Sequence, residues 1–300
     1  MLPLPEERQS YVTVSPILGG QITLPEKFFI NPADATARHT VPSLSFLITH
    51  PGHGDHGPQT LLFDLGLRSK ITGYSEPQQH HLVNRKPYLL GPGVAATLTE
   101  GGIDPGDIDT VILSHVHYDH HGDPEHFSSS QFIVGPGTTR LLEHGLDSGA
   151  SHQHFSKDLL PPDRTTELPS LYDETTQYKW QSLGPFSAID FYNDGSIYIL
   201  DSPGHLPGHI NLLCRISAKK WVCLCGDAYH DRRLLTGERD IAFWEGDGGA
   251  VCCIHNDPDA ARKALGQLRE LAGMGDVELI GAHDAGWFAA NGERMFPSTL

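Results

Sequence analysis

Three hundred residues, 38% apolar and 19% charged, supply enough apolar material for a substantial core and leave one large domain or two small ones open. Lys and Arg number 21 against 37 Asp and Glu, a formal net charge of −16. Phosphate binding draws on Lys and Arg, so no nucleic-acid partner is expected. No run approaches the roughly 18 uninterrupted apolar residues of a membrane span, so no membrane partner is expected either. The N-terminus has no basic stretch leading into an apolar one, and five cysteines is an odd number, which fits reduced thiols; the expected location is cytoplasmic.

Short β-like runs at residues 11–14 and 21–24 open the chain, separated by Pro and Gly. Residues 43–49 and 60–64 read as two strands around a Gly- and Pro-bearing loop. Residues 71–92 are polar, aromatic and irregular, 94–100 form a short helix stopped by Gly101-Gly102, and 110–114 are a buried-type strand. A strand at 131–134 leads into a helix near 138–143. From 145 to about 185 the pattern dissolves into His-, Pro- and Asp-rich sequence. Residues 187–191 and 196–200 flank Asn193-Asp194-Gly195, a hairpin signal. Residues 211–216 and 221–224 make another strand pair. Asp257-Pro258 starts a helix whose apolar face is Leu265, Leu268 and Leu271 and which Gly273 ends; 277–280 is the last strand. Strand pairs followed by mixed helices and strands, repeated in each half, predict one layered domain over 1–300. It would carry an N-terminal extension (about 1–40) and an irregular insertion (about 145–185). Cys223 and Cys225 lie in a buried-type strand, and Cys214, Cys252 and Cys253 in similarly apolar runs; all five read as small buried hydrophobes.

The chemistry concentrates after residue 113, in Ser114-His-Val-His-Tyr-Asp-His-His-Gly-Asp123. His115 and His117 alternate, so in extended backbone both point to one side. Asp119 and His120 follow as the chain turns away. Imidazole and carboxylate suit zinc and similar divalent ions, and close spacing lets one loop supply several ligands. A polar surface loop would look similar, but this one directly follows a buried strand.

HxHxDH after an apolar strand resembles the signature of the metallo-β-lactamase superfamily, which implies an α/β (α+β) four-layered αβ/βα sandwich. Further segments match in order: Phe63-Asp64-Leu65-Gly66, Asp201-Ser-Pro-Gly-His205-Leu-Pro-Gly-His209, Cys225-Gly-Asp227 and Ile280-Gly-Ala-His283. The match covers most of 44–286; residues before 44 and from 145 to 185 match nothing specific. By this resemblance one ion takes His115, His117 and His205, the other takes Asp119, His120 and His283, and Asp227 is shared. The implied cofactors are two divalent ions, zinc foremost, with manganese, iron or cobalt as options. Two such ions roughly 3.5–4 Å apart hold a bridging hydroxide at neutral pH. Asp119 would be both ligand and proton carrier. His209 would pack beside the ligands, His121 would line the pocket or face solvent, and His152 and His154 would lie at the surface.

His117 stands where flavodiiron proteins place glutamate, and with a short tail after His283 the long C-terminal region of glyoxalase II is not expected. The chain is most similar to the acyl-homoserine-lactone lactonases and related lactam hydrolases. Those lactonases carry a tyrosine three residues after the bridging aspartate. Here Tyr229 comes two residues on and His230 three, and either could donate to a developing oxyanion. The implied activity is opening of a small cyclic ester or amide (lactone, γ-lactam or cyclic carbamate) by attack of the bridging hydroxide, with that small molecule as partner. A mononuclear iron persulfide dioxygenase and a glyoxalase II-like thioester hydrolase remain alternatives, and a homodimer stays open. Phe28, Phe29, Tyr74, Tyr88 and the 145–185 segment are expected to wall the pocket.

Overall fold

Alternating apolar side chains divide the interior into three layers of core, and two six-stranded sheets separate them. The computed structural model describes residues 2–52, 57–146, 154–171, 173 and 176–300. The first sheet contains Thr13–Pro25, Arg38–His50, Gln59–Phe63, Thr110–Ile112, Gln131–Val134 and Thr165–Glu167, here β1 to β6, side by side in chain order. The second contains Gln181–Leu183, Phe186–Asp190, Ile197–Asp201, Ile210–Arg215, Lys220–Leu224 and Asp276–Ile280, β7 to β12, again in chain order. β1 to β3 pair antiparallel and β3 to β6 parallel; β7 to β11 pair antiparallel, and β12 joins β11 parallel.

Period-two alternation sends each strand's residues to opposite faces. Phe63, Ile112, Ile133, Ile199, Leu212 and Val222 meet between the sheets. Their neighbours Leu62, Val111 and Phe132 face outward and pack with Val94, Leu98 and Leu141 of the helices Val94–Glu100 and Thr138–His144. On the far side, Leu200, Leu213 and Cys223 pack with Leu265, Leu268 and Leu271 of the helix Pro258–Ala272. Asp257 caps that helix by accepting from the amides of Asp259 and Ala260. The four layers are therefore helix, sheet, sheet, helix.

The structure differs from the sequence reading in several places. Residues 11–14 and 21–24 are parts of one thirteen-residue strand, β1, with a register shift between Leu18 and Gln21. Gly19 and Gly20 mark a bulge there, not a break, and Pro16 pairs within the ladder. The stretch ahead of residue 44 is thus the edge of the first sheet. Residues 71–92 contain the helix Glu76–Val83, started by a Ser75–Gln78 capping box; its Gln- and His-rich sequence has no apolar stripe to announce it. The second half of 145–185 supplies β6 and β7, each three residues long and at a sheet edge, too short for alternation to register. Cys214, Cys223 and Cys225 are buried, whereas Cys252 and Cys253 are half-buried; all five are free thiols.

Candidate metal centre

β4 ends at Ile112, and its continuation carries His115, His117, Asp119 and His120 into the cleft at one end of both sheets. All four are buried. His205 arrives on the loop between β9 and β10, Asp227 after β11 and His283 after β12, each just beyond the end of a second-sheet strand. The Nδ1 of His117 lies 3.0 Å from the Nε2 of His115 and 3.0 Å from that of His205. One oxygen of Asp227, Oδ2, lies 3.3 Å from His205 Nε2 and 3.7 Å from His115 Nε2. The other, Oδ1, lies 3.2 Å from His120 Nε2 and 3.3 Å from His283 Nε2. His283 Nε2 is also 3.5 Å from Asp119 Oδ2. Two donor groups thus share one carboxylate, His115, His117 and His205 on one side, Asp119, His120 and His283 on the other.

Surrounding hydrogen bonds orient these rings. Ser114 Oγ has one proton, which goes to Asp64 Oδ2 at 2.7 Å; it therefore accepts from His115 Nδ1 at 3.0 Å. His120 Nδ1 donates to the same Asp64 oxygen at 2.9 Å. His283 Nδ1 donates to the carbonyl of Pro42 at 2.7 Å. Each of these bonds turns an Nε2 lone pair inward, as a metal ligand requires. His209 does the same for the shared carboxylate: its Nδ1 donates to the Ser202 carbonyl and its Nε2 accepts the Asp227 amide at 3.0 Å. Gly226 makes this possible. It sits at φ 47°, and a Cβ there would come within 2.8 Å of Ser114 and 2.9 Å of His209 Nε2. The hydroxyl of Ser43, on β2, holds the Asp119 carbonyl. Asp64 itself is at φ 60°, a conformation that short polar side chains tolerate, with Ser114's amide bound to Oδ1 at 2.6 Å.

The donor set fits divalent cations. Burial keeps His115 and His205 well below the usual histidine range and lowers His117 to about 4, so these three rings are neutral and ready to bind. Burial works in the same direction on His120 and His283, but the carboxylates outweigh it. Asp227 and Asp64 raise His120, and Asp227 and Asp119 push His283 up to about 10. Burial alone would raise Asp227; His120, His283 and His230 instead hold it well below the carboxylate range. His120 Nε2 and Asp227 Oδ1 are both buried without a hydrogen-bond partner. Carboxylates that draw this much positive charge, with unpaired donor atoms turned inward, suit cations. Replacing Asp64 by Asn should weaken metal binding about 10–100-fold, the usual effect of losing an outer hydrogen bond to a ligand. Competition with a chromophoric chelator measures this, and unchanged affinity would deny Asp64 that role.

The two candidate oxyanion donors part company. His230 lines the cleft, with Nε2 3.0 Å from Asp227 Oδ2 and its Nδ1 unpaired. Tyr229 does not: its hydroxyl donates toward Asp284 Oδ2 at 3.4 Å, and its ring packs behind Gly281. Consecutive residues after a strand end point opposite ways, and only the fold says which one faces the ions. His121 neither lines the cleft nor meets solvent; it is buried, and donates from Nδ1 to the Gly122 carbonyl. Phe29 lines the cleft beside Leu24, Ile254 and Tyr118, and Phe28 lines the adjoining groove. Tyr74 stands one layer back, its hydroxyl donating to the Tyr118 carbonyl, and Tyr88 packs against the core. Phe155 stacks on His117 at 5.9 Å and His154 is exposed; His152 lies outside the described residues. Arg85, Tyr118 and His255 also reach this region, and no local sequence pattern had marked them.

A helix–sheet–sheet–helix sandwich with paired His/Asp groups at the strand ends defines a dinuclear-type metal-binding scaffold. No protein-family model matches the chain. A gamma-lactamase of Gibberella moniliformis is 36% identical over 174 residues, 57% of this chain and 70% of that protein. The cytochrome P450 monooxygenase mpaDE' of Penicillium brevicompactum is 28% identical over 283 residues, 87% of this chain; the chain spans about a third (32%) of that relative's length. An N-acyl homoserine lactone hydrolase, solved with the product N-hexanoyl-L-homoserine at its catalytic metal centre, superposes with a TM-score of 0.68. That match has 18% identity and covers 97% of this chain and 100% of the other, which shows the fold. The chain belongs to the metallo-β-lactamase superfamily, on the branch of the lactonases and gamma-lactamases.

Proposed function

We propose that this chain is a two-cation hydrolase that opens a small cyclic ester or amide, a lactone, γ-lactam or cyclic carbamate. The observation that carries the reading is Asp227, whose two oxygens face two separate imidazole groups. His115, His117 and His205 would hold one cation and Asp119, His120 and His283 the other. The names of its relatives, a gamma-lactamase and a lactone hydrolase, support the substrate class. Bound divalent ions, zinc foremost for a nitrogen- and oxygen-rich donor set, would activate water near neutral pH and polarise the carbonyl.

The protein's own residues supply the rest. Leu24, Phe29 and Ile254 give the cleft an apolar wall that excludes water around the ring. His230 stands where the lactonases carry tyrosine, and its ring can donate to the oxygen on which charge develops. Asp119, at the cleft surface with Oδ2 toward His283, is placed to return a proton to the departing oxygen or nitrogen.

The test is metal analysis of the protein as purified and after zinc loading, joined to a panel of lactones, γ-lactams and cyclic carbamates. Two equivalents and turnover of at least one ring class are expected. One iron per chain, with oxygen consumption on glutathione persulfide, would replace this reading with a dioxygenase. Zinc at about 100 times its dissociation constant should also stabilise the fold by about 2.7 kcal/mol per site. Thermal unfolding with and without chelator checks this, and an unchanged midpoint would count against a built site.

A further inference from the structure

A groove continues from the metal cleft, and its charge is opposite to that of the chain as a whole. Pro25, Lys27, Phe28, Arg38, Arg85 and Trp244 form much of its wall, and among the described residues no Asp or Glu lines it. In a protein of net charge −16, three cations without a carboxylate make an unusual lining. The rings of Phe28 and Trp244 lie 4.9 Å apart and give it an aromatic side. Lys27 and Arg38 are exposed at the rim.

Arg85 joins the groove to the cleft, since it lines both. It is 6% exposed, and its side chain hydrogen-bonds to Tyr118. Its Nε is buried with no hydrogen-bond partner, and no carboxylate among the described residues pairs with the guanidinium. A buried cation without a counter-ion is costly, and a ligand anion would satisfy it. We propose that the substrate carries an aromatic body and a carboxylate beyond the ring that is opened. The aromatic body packs on Phe28 and Trp244, and the carboxylate is bound by Arg85 with Lys27 and Arg38 at the rim. The inference rests on the hydrolase reading only for where the ring sits.

Calorimetry on zinc-loaded protein tests the groove without turnover, using naphthalene-2-sulfonate and the neutral 2-(methylsulfonyl)naphthalene. The sulfonate should bind about 10-fold more tightly or better, the scale of a charge-assisted hydrogen bond. Arg85→Met should reduce that preference to roughly 3-fold or less. Lys27→Gln combined with Arg38→Gln changes only exposed side chains, should weaken the preference in the same direction, and decides the matter if Arg85→Met does not fold. No preference in the wild type, or one that a folded Arg85→Met keeps, would overturn the proposal, the second because the metals alone would then hold the anion. A kinetic arm compares γ-phenyl-γ-butyrolactone with its 4-carboxyphenyl analogue. The carboxylate should have the lower KM, and Arg85→Met should raise that KM more than the neutral one. If neither lactone turns over, the ring panel decides the hydrolase reading and the sulfonate titration decides this one.

Discussion

Replacing Asp227 by Ala should reduce bound zinc from two equivalents to at most one and lower ring-opening turnover by about 10³-fold or more. Among the described residues Asp227 is the carboxylate whose two oxygens face both imidazole groups, at 3.3 Å from His205 and 3.2 Å from His120. Without it, His115 and His205 lose the carboxylate beside them, and of this group His117 keeps the influence of Asp119. His120 retains Asp64 and His283 retains Asp119, so the second group is the better able to keep an ion. A metal's stabilisation of transition-state charge amounts to several kcal/mol, and each 1.36 kcal/mol is tenfold in rate, which sets the expected size. Metal content by elemental analysis and turnover on the best lactone are the measurements, with circular dichroism to show that the sandwich persists. Two equivalents retained with near-normal rate would mean that Asp227 is not shared.

Asp119→Asn should have the next largest effect, and its substrate dependence tells more than its size. The change keeps the side chain's shape and one oxygen ligand but removes the charge and the capacity to carry a proton. Burial would raise the Asp119 carboxyl, but His283 and His120 hold it below the ordinary range, so it starts as a carboxylate able to receive one. Turnover should fall by roughly 10²-fold or more, the range of lost acid–base assistance, with metal content reduced less. An amide nitrogen leaves far less readily unprotonated than an alkoxide does. The loss should therefore be greater on a γ-lactam than on the matching lactone, measured at equal metal occupancy. Equal losses on both substrates would leave Asp119 the role of ligand alone.

The cluster His115, His117, Asp119 and His120 was legible from its own spacing, whereas His205, Asp227 and His283 entered as candidates only through the resemblance of their segments to the metallo-β-lactamase pattern. Three of these donors come within three residues of a strand end, where a buried run turns polar: 110–112 before His115, 220–224 before Asp227, 276–280 before His283. Strand periodicity then decides which side chains share a side, and this information is local to the chain. The middle strands and the helix Pro258–Ala272 were legible for the same reason.

What tertiary structure decided is what depends on distant residues meeting. Tyr229 and His230 are adjacent and chemically eligible alike; the packing of Tyr229 behind Gly281, more than fifty residues on, leaves His230 facing the donors. Asp64 becomes the common acceptor for Ser114 and His120 only because β3 and β4 pair in parallel. Arg85 lies in a stretch without apolar periodicity, and its burial beside Tyr118 follows from the cleft closing over it. The β1 edge and the short β6 and β7 were hidden because a bulge, or a length of three residues, erases the alternation by which strands are read. The chain's own order thus marked the loop of candidate donors after residue 113 and the layers, while long-range pairing set the donors' orientation, the groove beside them and the charge it presents.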